Sequence, residues 1–169
     1  SLPLVAGEKQ SSSPVMKDMI SPMENTVYFL PNSDARQSQI YFYIPMGDYN
    51  REENVRREAF NQYISGGFSG LIMNEIREKN SMAYTAYGFA SSRGLPGAQT
   101  YFSGYIGTQN DKAVDAIDLY MKLLTDMPER PGRIDNIKSY LRQSALTDHP
   151  DSRNLSLRIC LLYTSDAAD

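Results

Sequence analysis

The chain of 169 residues contains one histidine and one cysteine, and no apolar run approaching the roughly 20 residues that a membrane span requires. Each scarcity removes a class of function. A zinc hydrolase draws its ligands typically from two histidines and a carboxylate, with a glutamate to take a proton from the metal-bound water. A lone His149, standing before Pro150, supplies no such set and reads as a solvated loop residue, so no metal ligands are expected in this chain. A serine hydrolase needs a base beside its nucleophile, and the chain has neither a G-x-S-x-G elbow nor a second histidine. Basic excess is missing as well: 17 Lys and Arg face 20 Asp and Glu, for a formal charge of −3. Without a positive field to neutralise phosphates, no nucleic-acid partner is expected, and without a span no membrane partner.

The ends of the chain need separate treatment. Residues 160–169, CLLYTSDAAD, resemble one reading frame of a DNA-sequencing adaptor and are set aside from fold reasoning. They take with them Cys160, so cysteine usage says nothing of redox compartment, and two acids, Asp166 and Asp169, lowering the acidic count from 20 to 18. Residues 1–24 hold Pro3, Pro14, Pro22 and the run Ser11-Ser12-Ser13 without periodicity, which is linker composition. They lack the basic start and long apolar core of a signal peptide. With 41% hydrophobic residues, what remains, 25–159, is expected to form one domain with a core of its own.

Within that domain, residues 26–30 (TVYFL) and 39–44 (QIYFYI) are β-branched and aromatic, and Pro31-Asn32-Ser33-Asp34 between them has turn chemistry. They predict an antiparallel hairpin, the second strand central because nearly all its residues are large and apolar. Asn50 with Glu53 predicts a helix start. Val55, Ala59, Phe60, Tyr63 and Ile64 continue at helical spacing until Ser65-Gly66-Gly67 stops them, and Ser69 is placed to cap a second helix carrying Leu71, Ile72 and Ile76. From Ala83 the period changes to two, giving a strand over 83–90 and another over 100–107, joined by the Gly- and Pro-rich residues 91–97. Val114, Ile117, Tyr120, Met121 and Leu124 mark one face of a helix that Pro128 ends, and Ile134, Ile137, Leu141 and Ala145 mark the next, which His149-Pro150 breaks. A further segment begins at 155–159. The order ββααββαα predicts an α+β fold, an antiparallel or mixed sheet with helices packed on one face.

One stretch, residues 59–87, constrains function most. Its helix–strand corner delivers Arg77, in the last helical turn, and Tyr84, at the strand start, to one place. Gly66-Gly67-Phe68-Ser69-Gly70 ahead of the helix lacks the Lys and the spacing of a phosphate loop and reads as a helix–helix corner. The plain reading of Arg77 is a cation favourable to a helix C-terminus and paired with Glu75 or a neighbour; that of Tyr84 is one aromatic among 12 tyrosines.

The run Gly-Gly-Phe-Ser-Gly-Leu, then Glu75-Ile76-Arg77-Glu78-Lys79, then Ala83-Tyr84, resembles the start of the second domain of a half-molecule in the pitrilysin/insulinase-type zinc metallopeptidases. The resemblance runs from about Tyr28 to about Arg158, includes Tyr105-Ile106-Gly107-Thr108, and is closest to the C-terminal half of long, two-half bacterial members. It implies a chamber-forming domain, incomplete at its C-terminus, without the family's H-x-x-E-H zinc helix. Zinc would be bound by another domain, the N-terminal half of the same chain would be the partner, and a peptide would be the substrate. It also implies that Arg77 and Tyr84 reach the scissile region, where a rigid fork and a neutral donor can hold a carbonyl and the oxyanion that develops on it. Gly104 and Gly107, in or at the end of a strand, are candidate substrate contacts, since glycine there marks a bulge or a close backbone approach. An exposed strand over 83–90 could add a peptide by main-chain bonds. The rival expectation is a structural or assembly subunit of the same fold without peptidase activity.

Overall fold

In the computed structural model, residues 23–94, 97–149, 151–157 and 159–160 are described; most of the expected linker and all but the first residue of the 160–169 segment lie outside them. Three strands form an antiparallel sheet: β1 (Gln37–Asp48), β2 (Thr85–Ser92) and β3 (Gln99–Gln109), in the order β1-β3-β2. Among the described residues there are also three α-helices, α1 (Asn54–Ser65), α2 (Ala113–Thr125) and α3 (Gly132–Thr147), a π-helix (Met73–Lys79) and three short 3-10 turns. The fold is α+β.

The strands alternate as their sequence requires. Ile40 and Phe42 on β1, Ala86, Gly88 and Ala90 on β2, and Phe102, Gly104 and Ile106 on β3 share one face, in register across the sheet. That face meets Ile64 of α1, Ile72 just ahead of the π-helix and Ile76 within it, and Ala116, Tyr120 and Leu123 of α2, which together make the core. Tyr120 is its largest member, fully buried, with its ring stacked on Phe42 at 4.4 Å and its hydroxyl donating to the Tyr87 carbonyl at 2.9 Å. Burial pushes its phenol far above the ordinary range, with Tyr87 adding to the effect.

The slot for that ring is made by two glycines. A Cβ at Gly104 would stand 2.2 Å from the Tyr120 hydroxyl, and one at Gly88 would stand 2.4 Å from it. Facing glycines in register on β2 and β3 therefore open the sheet surface to an aromatic ring that alanine would exclude.

Four expectations change. Residues 26–30 form no strand: Val27, Tyr28, Phe29 and Leu30 are 84–91% exposed, because no neighbouring strand among the described residues offers them a ladder. β1 is an edge strand rather than the central one, and Pro45, which has no N–H to donate, precedes a register shift where an edge tolerates it. The buried stripe of α2 is Ala116, Tyr120 and Leu123, whereas Val114 and Met121 are 69% and 40% exposed. Ser69 does not cap the next helix: it lies in a 3-10 turn (Gly67–Ser69), its hydroxyl donating to the Gly66 carbonyl at 3.1 Å. Gly67, at φ +60°, makes that corner possible. At Asn50 the expectation holds in part: its side chain accepts from the Glu52 N–H at 2.9 Å and caps the 3-10 turn (Arg51–Glu53) that leads into α1, while Glu53 makes no side-chain cap bond.

α1 also closes the sheet on one side. The Asn61 side chain accepts from the Ala90 N–H at 2.7 Å and donates to the Ala90 carbonyl at 3.0 Å, and the Ser65 hydroxyl accepts from the Gly88 N–H at 2.8 Å. Side chains of a helix thus stand in for a fourth strand along the outer edge of β2.

Candidate functional site

The helix that carries Arg77 is wound wide. Over Met73–Lys79 it takes π geometry, and its end closes one residue further out than an ordinary helix would: the Met82 N–H reaches the Ile76 carbonyl at 2.9 Å and the Ser81 N–H the Arg77 carbonyl at 3.0 Å. Ser81 turns the chain at φ +51°, an uncommon conformation for a residue other than glycine. Single π turns occur frequently at functional sites.

Beyond that turn the chain is pinned at successive residues. Lys112 Nζ donates to the Ser81 carbonyl at 3.3 Å, the buried Thr108 hydroxyl donates to the Met82 carbonyl, and the Tyr84 N–H donates to the Gly107 carbonyl at 2.9 Å. The turn, the start of β2 and the end of β3 enclose a surface pocket of about 310 Å³ lined by Arg77, Glu78, Ser81, Met82, Ala83, Tyr84, Gln109 and Lys112. Arg77 and Tyr84, seven residues apart in sequence, therefore share one cavity.

Their partners leave both groups available. The Arg77 guanidinium has Glu78 at 3.7 Å, with the two side chains 44% and 56% exposed, a contact that solvent weakens. Of the expected partners, Glu75 or a neighbour, it is thus the neighbour that pairs, while Glu75 binds Lys79 at 3.0 Å and Arg130. Tyr84 is 51% exposed, and its oxygen accepts from Gln109 Nε2 at 2.8 Å. An oxygen that accepts from an amide keeps its own O–H to give.

Gln109 and Lys112 belong to the pocket but not to the sequence reading. The register contained the signal: Gly107 pairs with Thr85, so the residues just beyond it on β3 come to stand beside the start of β2.

The two candidate glycines are both close approaches, each by a tyrosine and on opposite faces. Gly104 lies under Tyr120 on the helix side, as above; a Cβ at Gly107 would stand 3.0 Å from the Tyr105 hydroxyl on the other side. Both are in the central strand, paired on each edge, and the outer edge of β2 is taken by Asn61 and Ser65. Gly104 and Gly107 themselves thus offer no free main-chain edge to an added strand.

Among the described residues no group of three or more His, Cys, Asp or Glu side chains is placed to hold an ion, and His149 is exposed after α3. Among the same residues no helix is long and apolar enough to cross a membrane.

The profile of the peptidase M16 inactive domain matches residues 9–139. The chain belongs to the peptidase M16 family. Its resemblance to the C-terminal, non-zinc half of the pitrilysin type rests on this match and on a solved structure, the peptidase M16 inactive domain from Pseudomonas fluorescens. That likeness has a TM-score of 0.55 at 19% identity over 78% of this chain, which bears on the fold. The chain spans about 30% of the length of that M16 structure. Curated proteins gave no match. As an M16 inactive domain, the chain is a non-catalytic domain of a peptidase family.

Proposed function

We propose that this domain closes one wall of the substrate chamber of a zinc-dependent endopeptidase and lends Arg77 and Tyr84 to a zinc site built by another domain. The observation that carries this reading is the shared pocket, in which a half-exposed guanidinium and a phenol with its proton free to donate face solvent together. A peptide carbonyl bound there accepts from both. As the carbonyl carbon becomes tetrahedral, negative charge grows on its oxygen, and fixed donors hold that charge more strongly than they hold the starting carbonyl. Gln109, by donating to the Tyr84 oxygen, fixes the phenol for this task. Beside it, at Gly107, the surface is taken by the Tyr105 phenol.

Among the described residues no side-chain group is placed to hold zinc, and this reading gives the metal to the partner domain. Peptide hydrolysis by the full-length protein is the test. Zinc-dependent turnover that falls when the Arg77 and Tyr84 side chains are truncated is the expected result. Absence of turnover in the intact protein would leave a structural or assembly subunit of the same fold.

A further inference from the structure

Along most of its length the face of the sheet turned away from the helices carries no charged side chain; Asp48, opposite Gln99 at the end of β1 remote from Gln109, is the exception among the described strand residues. Register puts on it every second residue from Gln37 to Pro45, from Thr85 to Ser91 and from Tyr101 to Gln109, and none is Asp, Glu, Lys or Arg in a chain that is 22% charged. At its centre Tyr41, Tyr105 and Tyr87 stand opposite one another in one row across β1, β3 and β2. Their rings are 5.1 Å apart at both steps. Phe89 extends the row along β2, 6.3 Å from Tyr87. These are exposed groups: Tyr41 is 70%, Tyr87 41% and Phe89 40% accessible.

A sheet face that meets only water alternates apolar-in with polar-out. Aromatic residues with charges depleted are instead the composition of an interface centre, where Tyr supplies area at low entropic cost and keeps a polar tip.

The aromatic row is continuous with the pocket. Gln109, which holds the Tyr84 hydroxyl, lies on this same face of β3, four residues from Tyr105. Between them Gly107 contributes no side chain, and the Tyr105 phenol lies across it. At a strand rise of about 3.3 Å per residue, the row lies roughly 13 Å from Gln109, a span that about four extended residues cover.

We infer that this tyrosine face seats the flank of a peptide substrate, favouring uncharged segments with an aromatic or aliphatic side chain about four residues from the carbonyl held at Arg77 and Tyr84. The inference rests on the pocket reading given above. Ring stacking and apolar contact reward such a flank, whereas a charged side chain laid over the three tyrosines would lose hydration with no opposite charge beside it, Asp48 standing seven residues along β1 from Tyr41. The same lack of cations disfavours a nucleic acid, whose phosphates would go unneutralised.

Two blocked ten-residue probes, Ser/Gly peptides carrying either Phe-Leu-Phe or Glu-Leu-Glu at their centre, test the face on the 169-residue chain by titration calorimetry. The Phe probe is expected to bind at least tenfold more tightly than the Glu probe. Tyr87→Lys and Tyr41→Lys are each expected to weaken it fivefold or more with an unchanged circular dichroism spectrum, since both rings are exposed. Equal binding of the two probes, no binding of either, indifference to both lysines, or a dimer in sedimentation that the lysines dissolve would overturn the assignment, the last giving the face to a second copy. Tyr84→Phe, measured for turnover in the full-length protein, reports on the pocket alone. Loss of turnover with no probe preference discards the face and keeps the pocket; probe preference with intact turnover discards the pocket.

Discussion

Gly104 has its backbone against the hydroxyl of Tyr120, so close that a Cβ would stand 2.2 Å from the oxygen and 2.8 Å from the ring carbon that bears it. Because Tyr120 is buried to completion and tied to the Tyr87 carbonyl, it cannot swing away. Gly104→Ala is therefore expected to cost about 1–3 kcal/mol, as overpacking of a filled core does. Combining it with Tyr120→Phe, which removes the nearest atom, should recover at least about 0.5 kcal/mol of coupling in urea unfolding. Strict additivity would place the strain elsewhere.

Asn61 gives a second stability test. Its amide satisfies both the N–H and the carbonyl of Ala90 at the outer edge of β2. Asn61→Ala leaves those two groups without that partner and is expected to cost about 1–3 kcal/mol. Amide exchange at Ala90 should accelerate beyond the global change. An effect confined to the surface range of about 0.5 kcal/mol would mean that water replaces the side chain freely.

Zinc is not expected to stay with this chain. Among the described residues no ligand set is assembled, so after dialysis against a zinc-containing buffer and then a zinc-free one, metal analysis should find far less than one equivalent. Stoichiometric retention at micromolar affinity or better would contradict the assignment of the metal to another domain.

Much of this architecture was legible because periodicity and glycine placement are local signals. The corner at Gly66-Gly67, the switch to period two after Ala83, and the β2–β3 hairpin follow from them, and so does the meeting of Arg77 with Tyr84. Residues 39–44 misled because Tyr41 and Tyr43 look like core. Their register puts them in the aromatic face, so the strand is apolar on both sides without being central. The stripe of α2 was ambiguous for a related reason: apolar residues occupy two adjacent helix faces, and the choice falls to Ala116, which permits close approach, and to Tyr120, which needs the slot at Gly88 and Gly104. Residues 26–30 have strand propensity without a partner, and propensity reports fit to a half-buried pleat rather than a backbone preference. The π winding over Met73–Lys79 leaves no mark in residue types, since it is settled by where Thr108 and Gly107 hold the following turn.

The most direct test is Tyr84→Phe in the full-length protein, with kcat, KM and unfolding measured on one preparation. The change removes only a hydroxyl that faces the pocket and is half exposed. If that hydroxyl donates to the developing oxyanion, kcat should fall about 100-fold, the usual consequence of losing one such donor, while KM shifts little. The melting temperature should stay near wild type. Unchanged kcat, with or without a shift of a kcal/mol or so in stability, would contradict the account and leave Tyr84 as one more tyrosine on the sheet.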